Sequence, residues 1–180
     1  MVFIRSLLVL GSLFAAGLAN PAKRTPAQVE ADLNNVATQV TNLDNLIKAF
    51  PASGLAGALA IHNAATPLVT ALNTATSDST STGPLGESDG AAVLAIVTGF
   101  QPTILDALTR IVADKSAFAS QPISGLPALV HQDLVNLQTA TTALANSLLA
   151  NAPADLKPSA SAVEGAILTA LSTAVAAYAT

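Results

Sequence analysis

The stretch TPAQVEADLNNVATQVTNLDNLIKAFP, Thr25 to Pro51, places Val29, Leu33, Val36, Val40, Leu43, Ile47 and Phe50 at alternating steps of four and three. At about 100° per residue that spacing gathers them into one stripe along a helix, with Glu, Asp, Asn, Gln and Thr filling the other faces. Thr25 suits an N-cap, Pro26 suits the first helical position, where its missing N–H is not needed, and Gln28 has capping-box spacing. Pro51 and the PASG turn stop the helix. From Pro26 to Phe50 it would be roughly 37 Å long, an element for a long bundle.

Four more helical segments follow. The second, Leu55 to Thr76, spreads Leu55, Ala58, Leu59, Ile61, Ala65, Leu68, Val69 and Leu72 over about half its circumference, and Pro67 predicts a kink. TSDSTSTGPLGESDG, Thr76 to Gly90, reads as a surface loop, either a plain connector or a site of O-glycosylation or nicking. The third segment, Ala91 to Ala119, has a broad apolar arc, which suits a central helix, and a kink is expected at Pro102. Leu126 to Ala150 forms the fourth. The fifth runs from about Pro153 to Tyr178, with Pro158 dividing off a short lead-in and Ser161 to Glu164 at capping-box spacing.

No alternating strand pattern occurs. The expectation is an all-α, single-domain antiparallel bundle of about five helices with proline kinks. Ala at so many interhelical positions fills little volume, so two cores are open: a fully packed one, and one that leaves an apolar cavity between kinked helices.

Upstream of Thr25, Met1 to Arg5 makes a short positive region and Ser6 to Leu18 an apolar run too short to span a membrane. It has helical length but no polar face and ends in small residues, so a secretory signal peptide cleaved after Ala19 fits better than an N-terminal core helix. Asn20 to Arg24 then forms a short pro-segment. Its Lys23-Arg24 pair is the kind that secretory-pathway proteases cut behind, which would make Thr25 the first mature residue. The working domain is 25–180, long enough for one core and too short for two. Its four remaining cations, Lys48, Arg110, Lys115 and Lys157, face eleven acids, a net charge of −7. That excludes nucleic acid, whose affinity comes from clustered cations, and disfavours adsorption to anionic headgroups.

The chain has no Cys, so a disulfide framework and a thiolate metal site are ruled out. The few aromatics argue against sugar-stacking and base-stacking surfaces. No G-x-S-x-G elbow and no H-x-x-x-H pair occurs, and His62 and His131 are the only imidazoles. An enzyme is therefore not expected, nor a metal or cofactor.

His62 falls within the apolar arc of the second segment, where its partner would be a backbone carbonyl, a water or an anionic headgroup. Lys115 falls on the inner stripe of the third segment, where its stem covers apolar surface and its ammonium reaches the bundle end. If a cavity exists, its expected lining is Val97, Phe100, Ile104, Leu108, Leu134, Leu137 and Leu144, with His62 at the headgroup.

VATQVTNLDNLIKAFP (36–51), ILDALTRIVADKSAF (104–118) and LVHQDLVNLQTATTALANSLLANAPADL (129–156), with the signal peptide and Lys-Arg, resemble the fungal hydrophobic surface-binding protein A and cell wall galactomannoprotein family. The resemblance spans roughly Thr25 to Tyr178. It implies a secreted or wall-associated helical protein without known catalysis. Members adsorb to hydrophobic surfaces and recruit polyester- or cutin-degrading enzymes, and some hold fatty acids between helices. Expected partners are thus hydrophobic surfaces or fatty acid, and a secreted polyesterase or cutinase. No transmembrane span is expected in the mature chain. After Tyr178 no hydrophobic tail suits a GPI signal, so covalent anchoring is not expected. A structural, O-mannosylated wall protein is the alternative.

Overall fold

A computed structural model describes residues 24–179. The expected signal peptide with Ala19, and Lys23 of the dibasic pair, lie outside the described residues. Five long helices form, α1 (Pro26–Ala49), α2 (Gly54–Thr82), α3 (Glu87–Ala113), α5 (Leu126–Asn151) and α6 (Lys157–Tyr178), together with the single turn α4 (Lys115–Ala119). The described residues contain no strand.

α1 follows its stripe. Val29, Leu33, Val36, Val40, Leu43 and Ile47 are all buried, and the Thr25 hydroxyl accepts from the Gln28 amide at 3.3 Å. The capping box is only half made, because the Gln28 side chain donates forward to Asp32 Oδ1 instead of back to Thr25. Arg24, expected to leave with the pro-segment, here pairs with the buried Asp78 at 3.0 Å.

The expected loop from Thr76 to Gly90 is mostly helix. α2 continues to Thr82, leaving 83–86 as the connection. Two causes act together. The hydroxyls of Thr74, Thr76, Thr80 and Thr82 each donate to the carbonyl four residues back, which keeps polar side chains compatible with the helix. Ala75, Asp78 and Ser79 also face inward: Ser79 Oγ accepts from Ser147 Oγ at 2.9 Å and its carbonyl accepts from Asn151 Nδ2 at 2.7 Å. Ser79 is therefore no glycan acceptor in this fold, whereas Ser77, Thr80 and Ser81 are exposed.

Other boundaries differ from expectation for local reasons. The third segment breaks at Asp114 into α3 and α4, and the break turns Phe118 into complete burial against Phe50 and Tyr178, with ring centroids 4.1 and 6.3 Å away. Pro158 does not divide the last segment. It lies in the first turn of α6, where its missing N–H costs nothing, and the capping-box spacing at Ser161 goes unused inside the helix. α2 and α3 continue through Pro67 and Pro102, both of which face outward.

Successive long helices alternate in direction, as expected of an up-and-down chain, but their order in space is not their order in sequence. α1 packs on α2 and α3, α5 on α2 and α6, and α3 on α6, which closes a ring in the order α1, α2, α5, α6, α3. Only the α1–α2 and α5–α6 neighbours are antiparallel. His62 meets Asp133 and Ser79 meets Ser147, so α2 and α5 run together. Lys48 meets Asp106 and Tyr178 meets Ile111, so α1, α3 and α6 share the other direction.

The two ends of the ring are built differently. At one end Phe50, Phe118 and Tyr178 form an aromatic stopper. The Tyr178 hydroxyl donates to the Ile111 carbonyl at 2.6 Å, and Lys115 Nζ donates to the Ala177 carbonyl at 2.6 Å, satisfying the last turn of α6. At the other end the 83–86 connection passes from α2 to α3 past α1, their common neighbour, and is tied down where the Leu85 amide donates to the Asn151 carbonyl at 2.8 Å. Gly90 is needed there because a Cβ would meet the Pro153 ring at 2.5 Å.

Candidate functional site

A ring of five helices, about 10 Å each in diameter, cannot bring every inner face into contact unless large side chains fill the axis. Here the axis is under-filled. A cavity of about 150 Å³ runs between the helices, lined by Leu33, Val36, Val40 and Leu43 of α1, Leu68 and Leu72 of α2, Val93 to Leu108 of α3, Leu137 to Leu149 of α5 and Val163 to Leu171 of α6, with Leu85 and Leu156 at the connection end. An apolar cavity of that size stays free of ordered water and is large enough to take a small apolar guest.

α3 explains why the space stays open. Leu94, Val97, Phe100 and Ile104 are apolar and point inward, yet each is only half-buried, whereas Val93, Leu108 and Ile111 are buried. Their free surface is presented to the cavity. The same reasoning applies to Val163 and Leu168 of α6. By length and composition alone α2, α3 and α6 are long and apolar enough to cross a membrane. In this fold their apolar faces are turned to one another across the ring.

Of the expected lining residues, Val97, Phe100, Ile104, Leu108, Leu137 and Leu144 stand together in the cavity wall. Leu134 does not. It is buried about one turn of α5 nearer the aromatic end, outside the cavity lining.

His62 also lies outside the lining. Its Nδ1 is 2.8 Å from Asp133 Oδ2 on α5, so its partner is a carboxylate of the protein and not a headgroup, a carbonyl or a water. Burial raises the pKa of Asp133 above the usual carboxylate range, and the bond to His62 opposes that rise. Thr66, one turn after His62 on α2, is exposed. The arc of α2 is narrower than its alanines suggest, because Ala fits both an inner and an outer face.

Several features of the site had no separate signal. The α1 stripe and the α6 stripe are visible as periodic residues, but nothing in periodicity distinguishes side chains that touch neighbours from side chains that face free space. Two polar lining residues, Thr141 and Glu164, were not singled out as cavity groups. Neither makes a side-chain hydrogen bond or ion pair among the described residues. No Lys, Arg or His contributes to the lining. No group of three or more His, Asp or Glu side chains is placed to hold a metal ion among the described residues.

Charge pairs outside the cavity join the ring. Lys48 bridges Asp44 of α1, at 2.6 Å, and Asp106 of α3, at 3.3 Å, and Arg110 lies 3.0 Å from Asp106. Arg110 and Lys48 hold the Asp106 carboxyl below its ordinary range. At the connection end the neighbouring Asp155 carboxyl pushes the Glu87 carboxyl up.

The same ring is found in solved structures. The chain is similar to Afmp4p, crystallised in complex with palmitic acid, at 30% identity over 85% of this chain and 99% of that one, with a TM-score of 0.78. It shares the fold of ligand-binding domain 1 of the Penicillium marneffei MP1 protein, complexed with arachidonic acids, at 18% identity over 85% and 98% of the two chains and a TM-score of 0.74. Domain 2 of that protein, complexed with multiple arachidonic acids, matches at 16% identity, 88% and 98% coverage and a TM-score of 0.75. No curated protein matches the sequence. The family model described as hydrophobic surface binding protein A matches residues 26–150, from the first helical residue almost to the end of α5. With four of the five ring helices inside that match, the chain belongs to the hydrophobic surface binding protein A family.

Proposed function

We propose that the protein is a non-catalytic carrier that holds a single-chain lipid, such as a fatty acid, in the cavity between its helices. The observation that carries this reading is the wall itself: a space of about 150 Å³ between the helices, lined almost throughout by Leu, Val, Ile, Phe and Ala. A space so apolar has too few partners to hold ordered water, and filling it with an acyl chain recovers roughly 25 cal/mol per Å² of apolar surface. The palmitic acid held by the similar Afmp4p supports the same reading.

Native mass spectrometry of the secreted protein, with saturable displacement of a fluorescent fatty acid, tests it. Val97→Trp and Leu168→Trp, which push indoles into the cavity, should each weaken binding at least about tenfold while helical circular dichroism is kept. Absence of bound lipid together with absence of saturable binding would remove the cavity reading.

Secretion belongs to the same proposal, with the N-terminus at Thr25 as the form that N-terminal sequencing would find. Adsorption to hydrophobic solids would use the same apolar helices spread outward, and polystyrene or polyester depletion assays measure it. Recruitment of a secreted polyesterase or cutinase is a separate property, and a pull-down tests it. The alternative of a glycosylated wall scaffold is weakened by the burial of Ser79 and the helical state of 76–82.

A further inference from the structure

The cavity wall is not neutral in its preferences. Among all its lining side chains the only ionisable one is Glu164, on α6, half-buried and without a hydrogen-bond or ion-pair partner among the described residues. The only other side chain there that can hydrogen-bond is Thr141, whose hydroxyl both donates and accepts and so does not discriminate. No cation at this end of the ring reaches the cavity: Arg24 pairs with Asp78 where it is retained and is absent from a chain that begins at Thr25, and Lys157 is exposed at the start of α6 outside the lining.

What best satisfies a half-buried carboxylate without a protein partner is a donor, best of all a positive one. A second carboxylate near it meets like-charge repulsion. The family relatives show acyl chains in comparable folds, but nothing in this wall offers an acid headgroup a cationic clamp.

We infer that Glu164 is a headgroup-selecting residue, which makes the cavity favour single-chain amphiphiles with a donating head, a long-chain amine or alcohol, over a fatty-acid anion. This rests on the proposal that the cavity holds lipid. The chain supplies affinity through apolar burial, while Glu164 sets the order among heads of equal chain length.

The test is competitive displacement of a neutral fluorescent lipid at pH 7 and submicellar concentration by hexadecylamine, hexadecanol and palmitate. The wild-type protein should bind hexadecylamine about tenfold more tightly than palmitate, with hexadecanol between them. Glu164→Gln should bring the three to within about threefold, and Glu164→Lys should put palmitate first. Glu30→Gln, which removes an acid of α1 outside the cavity, should leave the wild-type order, so that attraction of an amine to the acidic protein as a whole is distinguished from selection by Glu164.

Palmitate binding as tightly as hexadecylamine in the wild type, or an amine preference that survives Glu164→Gln, would overturn the inference and leave the lipid cavity standing. Failure of all three ligands to displace the probe would remove the lipid cavity and this inference with it.

Discussion

At the scale of single residues the polar interior is where periodicity says least. Asp32 keeps Oδ2 buried without a partner and lies beside Asp78. Burial and that neighbouring carboxylate raise its pKa, against the lowering effects of Gln28 and Arg24. An acid whose pKa is higher in the folded than in the unfolded state binds more protons when folded, so stability falls as pH rises from the ordinary carboxylate range through the raised value. Asp32→Asn should remove that decline and raise stability at pH 7 by about 1 kcal/mol, because an amide can donate towards Asp78; urea unfolding at pH 4 and pH 7 measures it. Tyr178→Phe acts in the opposite direction. It leaves the Ile111 carbonyl at the end of α3 without its donor in a buried site, and should cost about 1 to 2 kcal/mol in the same assay. Tyr178 was legible as an inward residue from its spacing. The carbonyl it serves was not, since that depends on where α3 breaks, and Asp114 gives no proline or glycine signal.

At the scale of elements the stripes of α1 and α5 carried most of what could be read, because Leu, Val and Ile recur there at unambiguous steps. α2 was harder. Its Ala- and Thr-rich sequence fits an inner and an outer face equally, and its Ser/Thr tail has a loop composition that the i to i−4 hydroxyl bonds and the Ser79 contacts with α5 override. Limited proteolysis should therefore cut first at 83–86 and near Ser120–Gly125, where the chain is outside helices, and spare 76–82. Early cleavage within 77–81 would show that the α2 tail is not held as described. Replacing Ser79 with Ala should open that segment to the protease, since Asn151 and Ser147 lose a shared partner on α2.

At the scale of the whole molecule, the helix count and the absence of strands follow from pattern, but the ring order does not, since it depends on which stripes meet across long sequence distances. The cavity is a property of that order, and Ala-rich composition left a packed core equally open. A ligand bound only by the folded ring stabilises it by about 2.7 kcal/mol at one hundred times its Kd. For a chain of this size that corresponds to a rise in Tm of about 5 to 10 °C, which differential scanning calorimetry with and without lipid will register. The α2–α3 and α3–α5 connections each join helices that are not neighbours in the ring, and each supplies residues that stop one end, Leu85 and Phe118. Interior length is thus governed at two short connections, while wall thickness and helix pairing are governed elsewhere. Insertion or deletion at 83–86 should therefore change the reach of the interior at that end while the five staves of the barrel keep their places.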